Sequence, residues 1–235
     1  MANITVPQTI LAALLPKHVL TGPFSGMHYI AQSTGSVIVP KLTGSYESEL
    51  WPVLQAVHYS DYDLFVDIGA AEGYYAVGVT KYIFQNAIPT VAFEATPRGQ
   101  KQIHMLAQRN GVQNITIKGF CDCTDLLEVL SKKRGFLIVD IEGGEASLLD
   151  PVALPDLLNC DMLVELHPEQ VEGVRSLLMN RFKNSHTVEE INPDTKKQLN
   201  NTALPRWTQR FRTYMLNEFR GNQSWLFFRA NKRVA

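Results

Sequence analysis

Short, predominantly apolar runs recur through the middle of the chain, and each stops abruptly at an acid. Leu64-Phe-Val66 runs into Asp67, Thr90-Val-Ala-Phe93 into Glu94, Phe136-Leu-Ile-Val139 into Asp140, and Asp161-Met-Leu-Val164 into Glu165. Helical stretches separate them: Tyr74–Phe84, Arg98–Asn110 with Gly111 as its stop, Asp125–Lys132 and Pro168–Arg181. Asn114-Ile-Thr-Ile117 adds a strand. Strands apolar on both faces, alternating with helices, predict repeated βαβ units with helices on both sides of a parallel sheet. The expected fold is α/β, a Rossmann-like, doubly wound and mainly parallel sheet.

The ends of the chain differ in texture. Residues 1–60 read as an N-terminal extension with lid helices, and 61–235 as the main domain. Within the extension, Thr9–Leu15 is a helix candidate, and Tyr29–Gln32 with Ser36–Val39 reads as a hairpin about Thr34-Gly35. A further helix opens near Glu47, with Pro52 tolerated in its first turn. Towards the C-terminus, 192–205 reads as a long loop, Trp207–Phe219 as a helix and Ser224–Arg229 as a last strand.

Composition narrows the function classes. Among 235 residues, 22 Lys and Arg face 23 Asp and Glu, which gives no global attraction to nucleic acid or an acidic membrane. The longest uncharged run, 18–40, holds Pro23 and three glycines, so no membrane-spanning helix is expected. The N-terminus lacks the charged start of a signal peptide, and three cysteines are too few for a disulfide framework. These features predict a cytoplasmic protein.

Acids at strand ends face the ligand crevice of a doubly wound sheet, although each can also simply cap the helix that follows. The turn Asp67-Ile-Gly69-Ala-Ala-Glu72-Gly73 is neither the G-x-G-x-x-G of a dinucleotide site nor a phosphate-cradling loop. Glu72 would repel a pyrophosphate and suits a ligand with a positive centre. Glu94, 27 residues after Asp67, is placed to accept two ribose hydroxyls. Together they suggest an adenosine ligand without phosphates, S-adenosylmethionine.

Val66-Asp-Ile-Gly-Ala-Ala-Glu-Gly-Tyr-Tyr75 resembles the first motif of class I S-adenosylmethionine-dependent methyltransferases. Three further segments resemble the FkbM-like group in particular: Gly44-Ser-Tyr-Glu-Ser-Glu-Leu50, Val139-Asp-Ile-Glu-Gly-Gly-Glu145 and Val164-Glu-Leu-His167. They lie in the right order over about residues 40–170. The resemblance implies the class I methyltransferase fold, with a seven-stranded sheet whose last strand runs antiparallel beside the fifth. It implies that Gly69, Ala70 and Gly73 let the backbone approach the methionine part of the cofactor. Asp67 and Glu72 would bind its amino group directly or through water, Glu94 its ribose, Ala95 and the Cys121-Asp122 segment its adenine, and Asp140 would sit beside the reacting methyl.

Methyl transfer to a hydroxyl needs a base, and His167 beside Glu165 is the candidate; an inert histidine at a helix start is the alternative. Asp140, Glu142, Glu145, Glu165 and His167 also form a hard-ligand set suited to Mg²⁺, unless Glu142 and Glu145 only complement a helix N-terminus. His28 could reach the crevice if the N-terminal segment folds over it. From Arg206 to Arg233, seven basic residues stand against Glu218, interleaved with aromatics. That pattern suits an anionic substrate such as RNA, or a packed helix and strand with a solvated basic face. The expected activity is O-methylation of a small-molecule or glycan hydroxyl. RNA methylation and a catalytically silent cofactor-binding protein are the alternatives.

Overall fold

The computed structural model describes residues 8–30, 36–194, 211–218 and 223–231. Seven strands form one sheet: β1 Leu64–Ile68, β2 Thr90–Phe93, β3 Ile115–Lys118, β4 Gly135–Val139, β5 Asp161–Leu166, β6 His186–Ile191 and β7 Ser224–Ala230. Their order is β3-β2-β1-β4-β5-β7-β6. The first five are parallel, and β7 runs antiparallel to both β5 and β6. The chain order reverses between β1 and β4, so the crevice at their carboxyl ends is the topological switch point.

Strand side chains alternate between two cores, as the pleat requires. Phe65, Phe136, Ile138, Trp225 and Phe227 face one side. Val66, Leu137, Val139, Leu226 and Phe228 face the other. The second side is covered by α6 (Cys123–Leu130) and α8 (Val174–Phe182), through Leu126, Leu130, Leu178 and Phe182. The first side is covered by α4 (Tyr74–Gly78) and by the N-terminal segment, whose Leu11, Phe24, Met27 and Leu42 are almost fully buried. Each such side chain contributes about 1.5–3 kcal/mol of burial, so this segment is part of the core.

Several local expectations need correction. Ser36–Val39 is not a strand: Ile38 and Val39 open α2 (Ile38–Thr43), and His28 pairs instead with His18 in an isolated antiparallel bridge. Ala31 and Gln32 lie outside the described residues. A single 3₁₀ turn, Ser48–Leu50, leads into α3 (Trp51–Ala56). The helix from Tyr74 widens into a π turn at Val79–Ile83. α6 starts earlier than expected because Asp122 caps it. Its carboxylate accepts the Asp125 N–H at 2.8 Å, while the Asp125 carboxylate accepts the Asp122 N–H. α8 starts only at Val174, after Gly173 turns the chain with φ 74°. The tail helix is present as α9, Arg212–Leu216, and its expected start at Trp207 falls outside the described residues. So does 195–205 of the expected loop, and so do most of the basic positions of the tail. Among the described residues no helix is long and apolar enough to cross a membrane.

Candidate active site

A cavity of about 780 Å³ opens at the carboxyl ends of β1, β2, β4 and β5. Its floor depends on Gly69, which ends β1 with φ 86°. A Cβ there would lie 1.7 Å from the carbonyl oxygen of Asp140, so only glycine lets the turns after β1 and β4 lie side by side.

Asp67 and Glu94 stand on neighbouring strands of this floor, and the protein treats them differently. Asp67 is 3% exposed, and its Oδ2 has no hydrogen-bond partner among the described residues. Burial pushes its carboxyl up to about 7, helped by the charges of Glu94 and Glu72 and opposed by the Ala76 N–H and Lys41. Glu94 is instead held in place. Its Oε2 accepts the Ala71 N–H at 3.0 Å, and its Oε1 accepts the N–H and hydroxyl of Thr96 at 2.8 and 2.6 Å. Thr96 also caps α5 (Pro97–Asn110), and Gly99 in its first turn is needed because a Cβ would lie 2.5 Å from Glu94 Cγ. A carboxylate has roughly four acceptor positions, so about one remains on Glu94 for a ligand hydroxyl.

Ala70 and Ala95 line the cavity beside these acids, and Cys121 and Asp122 line it after β3. Burial pushes the Cys121 thiol up to about 12, so it meets a ligand as a neutral apolar group. Asp122 combines a place on the wall with its capping of α6. Phe120, 75% exposed, lines the same edge.

Glu72 and Gly73 do not line the cavity. Glu72 is fully buried and turned towards the N-terminal segment, where it binds the Lys41 ammonium and accepts the Tyr29 hydroxyl at 2.5 Å. Glu72 is therefore not placed for direct contact with a ligand in the cavity. Lys41 is 3% exposed and lies 4.7 Å from the ring centre of Tyr46 and 5.4 Å from that of Tyr74. Lys41, Tyr46, Tyr74 and Tyr75 all line the cavity. Tyr75 donates to the Glu47 carboxylate, and the Glu47 N–H donates to Glu218 Oε1 at 2.9 Å, which ties the segment after α9 to the same wall. His28 is exposed and lies elsewhere, its backbone paired with Asn110.

On the opposite wall, His167 follows β5 and is 5% exposed. Its Nδ1 lies 2.9 Å from Glu145 Oε1, and its Nε2 lies 3.6 Å from both Asp140 Oδ1 and Glu165 Oε2. Burial lowers the basicity of the ring, but the Glu145 hydrogen bond and the charges of Glu165, Glu145 and Glu142 outweigh it, and the net shift is upward. Donor atoms of Asp140, Glu165 and His167 lie within 4.8 Å of one another, a spacing one cation could bridge. Glu142 lines the cavity beside them, while Glu145 is directed to the far nitrogen of His167.

Among the described residues, seven carboxylates line the cavity (Asp67, Glu94, Asp122, Asp140, Glu142, Glu165 and Glu218), with Lys41 and His167 as basic groups. Lys41 is already matched by Glu72. The part of the field that these residues make favours a cationic or neutral ligand.

Sequence reasoning missed Lys41, Tyr46 and Glu218 as wall residues. Lys41 and Glu72 are 31 positions apart, and a lysine in a short segment carries no local sign that it will be buried.

No protein-family model matches the chain, and no curated protein matches it. Solved structures do. A putative O-methyltransferase from Klebsiella pneumoniae superposes with TM-score 0.52 and 14% identity, over 98% of this chain and 92% of that one. The O-methyltransferase from Bacillus cereus in complex with SAH gives TM-score 0.50 and 10% identity, over 97% and 94%. Precorrin-6y C5,15-methyltransferase from Geobacter metallireducens GS-15 gives TM-score 0.51 and 14% identity, over 80% and 89%. At these identities the likeness concerns the fold alone: an α/β fold with a seven-stranded, mostly parallel sheet, as in these methyltransferase structures.

Proposed function

We propose that the chain is an S-adenosylmethionine-dependent methyltransferase of the FkbM-like group, acting on a hydroxyl of a small molecule or glycan. The observation that carries this reading is the pair of acids ending β1 and β2. Asp67 keeps a buried oxygen without a partner among the described residues, and Glu94 is held rigid with acceptor capacity to spare. The first suits an ammonium group and the second a ribose hydroxyl, with Ala95, Cys121 and Asp122 around the adenine. Two ribose hydroxyls on Glu94 would require the Thr96 hydroxyl to turn away. The carboxylates that line the cavity among the described residues support a cationic sulfonium. The N-terminal extension, packed into the core, contributes Lys41 and Tyr46 to the cavity wall and would cover the acceptor as a fixed part of the fold. Three free cysteines fit a cytoplasmic enzyme.

When bound, the cofactor supplies an electrophilic methyl carbon. The protein's part is to align an acceptor oxygen with it and to take the proton released, for which His167 Nε2 is placed beside Asp140 and Glu165. A second reading rests on the same cluster: Asp140, Glu165 and His167 hold a divalent ion such as Mg²⁺, which lowers the pKa of a hydroxyl bound to it.

Calorimetry with S-adenosylhomocysteine tests the cofactor, and an acceptor library read by mass for one added methylene tests the reaction. Binding without any product would favour the silent alternative. On a hydroxyl acceptor, His167→Ala should lower turnover by roughly 100-fold and leave cofactor affinity unchanged. If EDTA also abolishes activity and Mg²⁺ restores it, the metal reading holds; if neither change matters, the O-methylation reading fails.

A further inference from the structure

Glu145 opens the short helix α7 (Glu145–Leu148), and its side chain is fully buried. A carboxylate withdrawn from water needs donors. Its Oε1 finds two, the Gly143 N–H at 3.1 Å and the His167 ring at 2.9 Å. Its Oε2 has no partner among the described residues, so Oε1 carries the hydrogen bonding of this side chain.

The consequence concerns which nitrogen of His167 holds the proton. A neutral imidazole has one N–H and one lone pair. With the proton on Nδ1, it enters a short bond to Glu145, and the Nε2 lone pair points towards the cavity. With the proton on Nε2, two acceptors would face each other across 2.9 Å at Nδ1. The proton itself would point at Asp140 and Glu165, each 3.6 Å away and beyond hydrogen-bond range. The first arrangement satisfies a buried charge; the second leaves it bare. The carboxyl of Glu145 is held ionised to suit: burial pushes it up, but the His167 bond and the backbone N–H groups of Glu145 and Gly143 bring it below the usual range.

We propose that Glu145 is the positioning residue of this site, fixing His167 in the Nδ1–H tautomer so that Nε2 presents its lone pair to the cavity. Glu145 touches neither cofactor nor acceptor and acts only through the ring, as an orienting carboxylate does for a histidine base or ligand. The role in catalysis rests on the methyltransferase reading, whereas the tautomer does not.

The test is nuclear magnetic resonance on protein labelled with ¹⁵N-histidine, at a pH high enough to leave the ring neutral. Two-bond proton–nitrogen correlations distinguish the two tautomers directly. Six histidines are present, and His167→Gln identifies the signal by its loss. The wild type should show His167 as Nδ1–H. In Glu145→Leu the acceptor is gone, so the ring should lose its hold on Nδ1–H and turn to Nε2–H, while Glu145→Gln, whose amide oxygen can still accept both the Gly143 and the His167 N–H, should keep Nδ1–H in part. Once an acceptor is known, Glu145→Leu should lower kcat by on the order of 100-fold with little change in KM. A wild-type His167 in the Nε2–H form overturns the proposal, even if the variants do not fold. So does a folded Glu145→Leu that keeps Nδ1–H as fully as the wild type. S-adenosylhomocysteine calorimetry on the wild type reports separately on the methyltransferase reading, so the two failures are distinguishable.

Discussion

Replacing Lys41 by methionine would strip Glu72 of its counter-ion in a place that water does not reach. Both groups are almost completely buried, and the Tyr29 hydroxyl that Glu72 also accepts brings no positive charge to replace the ammonium. Breaking a buried ion pair from one side costs about 3–5 kcal/mol, because a bare charge remains. For a chain of this size about 1 kcal/mol shifts the melting temperature by roughly 2–4 °C, so the expected loss is on the order of 6–20 °C. Glu72→Gln should cost a similar amount, since it leaves Lys41 unpaired. The double variant Lys41→Met/Glu72→Gln removes both charges, and it should melt well above either single variant. A double-mutant cycle should return a coupling of about 2 kcal/mol or more. The assays are thermal melting for stability and calorimetry for S-adenosylhomocysteine. Because Glu72 lies outside the cavity, affinity in the folded Glu72→Gln variant should stay within about threefold of the wild type, under 1 kcal/mol. The reasoning is refuted if Glu72→Gln melts within about 1 °C of the wild type and binds the nucleotide tenfold or more weakly, about 1.4 kcal/mol. Glu72 would then be a cofactor contact, as its motif alone suggests.

Glu94→Ala should weaken S-adenosylhomocysteine by about 1–3 kcal/mol, some 5- to 150-fold, with calorimetry as the check. Asp67 gives a pH dependence of definite sign. Its folded carboxyl titrates at about 7 against 3.8 for an unperturbed group, so the folded protein holds a proton that the unfolded chain has lost. Stability of the unliganded protein should therefore fall as pH rises through that window, and urea melts of Asp67→Asn should lack this component. Nucleotide affinity should rise over the upper part of the same window, because a ligand ammonium requires the ionised form. Gly69→Ala places a methyl 1.7 Å from the Asp140 carbonyl at a left-handed φ, and should cost more than about 3 kcal/mol in denaturant unfolding or abolish soluble expression.

Much of the sheet was legible because β1, β2, β4 and β5 are buried on both faces, which leaves uninterrupted apolar runs in the sequence. The edge strand β6 was not. His186-Thr-Val-Glu-Glu-Ile191 shows solvent most of one face and carries two acids, so nothing in it reads as core. The stretch Ile38-Val39-Pro40 misled in the other direction. β-branched residues favour extended backbone, yet here they turn into α2, where all six residues are buried against the first core. The strand-end acids of the site followed from the same logic as the sheet. Their division of labour did not, because it depends on partners brought in by tertiary structure: Lys41 for Glu72, Thr96 and Ala71 for Glu94, His167 for Glu145.

That division gives a physical criterion for reading the motif acids. An acid whose oxygens are occupied by the protein's own donors, deep below the surface, has its charge balanced before any ligand arrives. Glu72, with an ammonium and a phenol, is of this kind, and so is Glu145 at the oxygen that holds the imidazole. Asp67 is the opposite: a buried oxygen on the cavity floor with no donor, in a carboxyl whose ionisation burial opposes. Leaving it bare is costly unless something with a hydrogen to give comes to it. A cationic ligand with an ammonium group supplies that donor and favours the ionised form at once. On the proposed reading, coupling of this kind, in which binding and ionisation assist each other, gives the Asp67 oxygen that has no partner among the described residues its purpose at the switch point of this sheet. Glu72, five positions on in the same motif, already has the Lys41 ammonium and the Tyr29 hydroxyl against it.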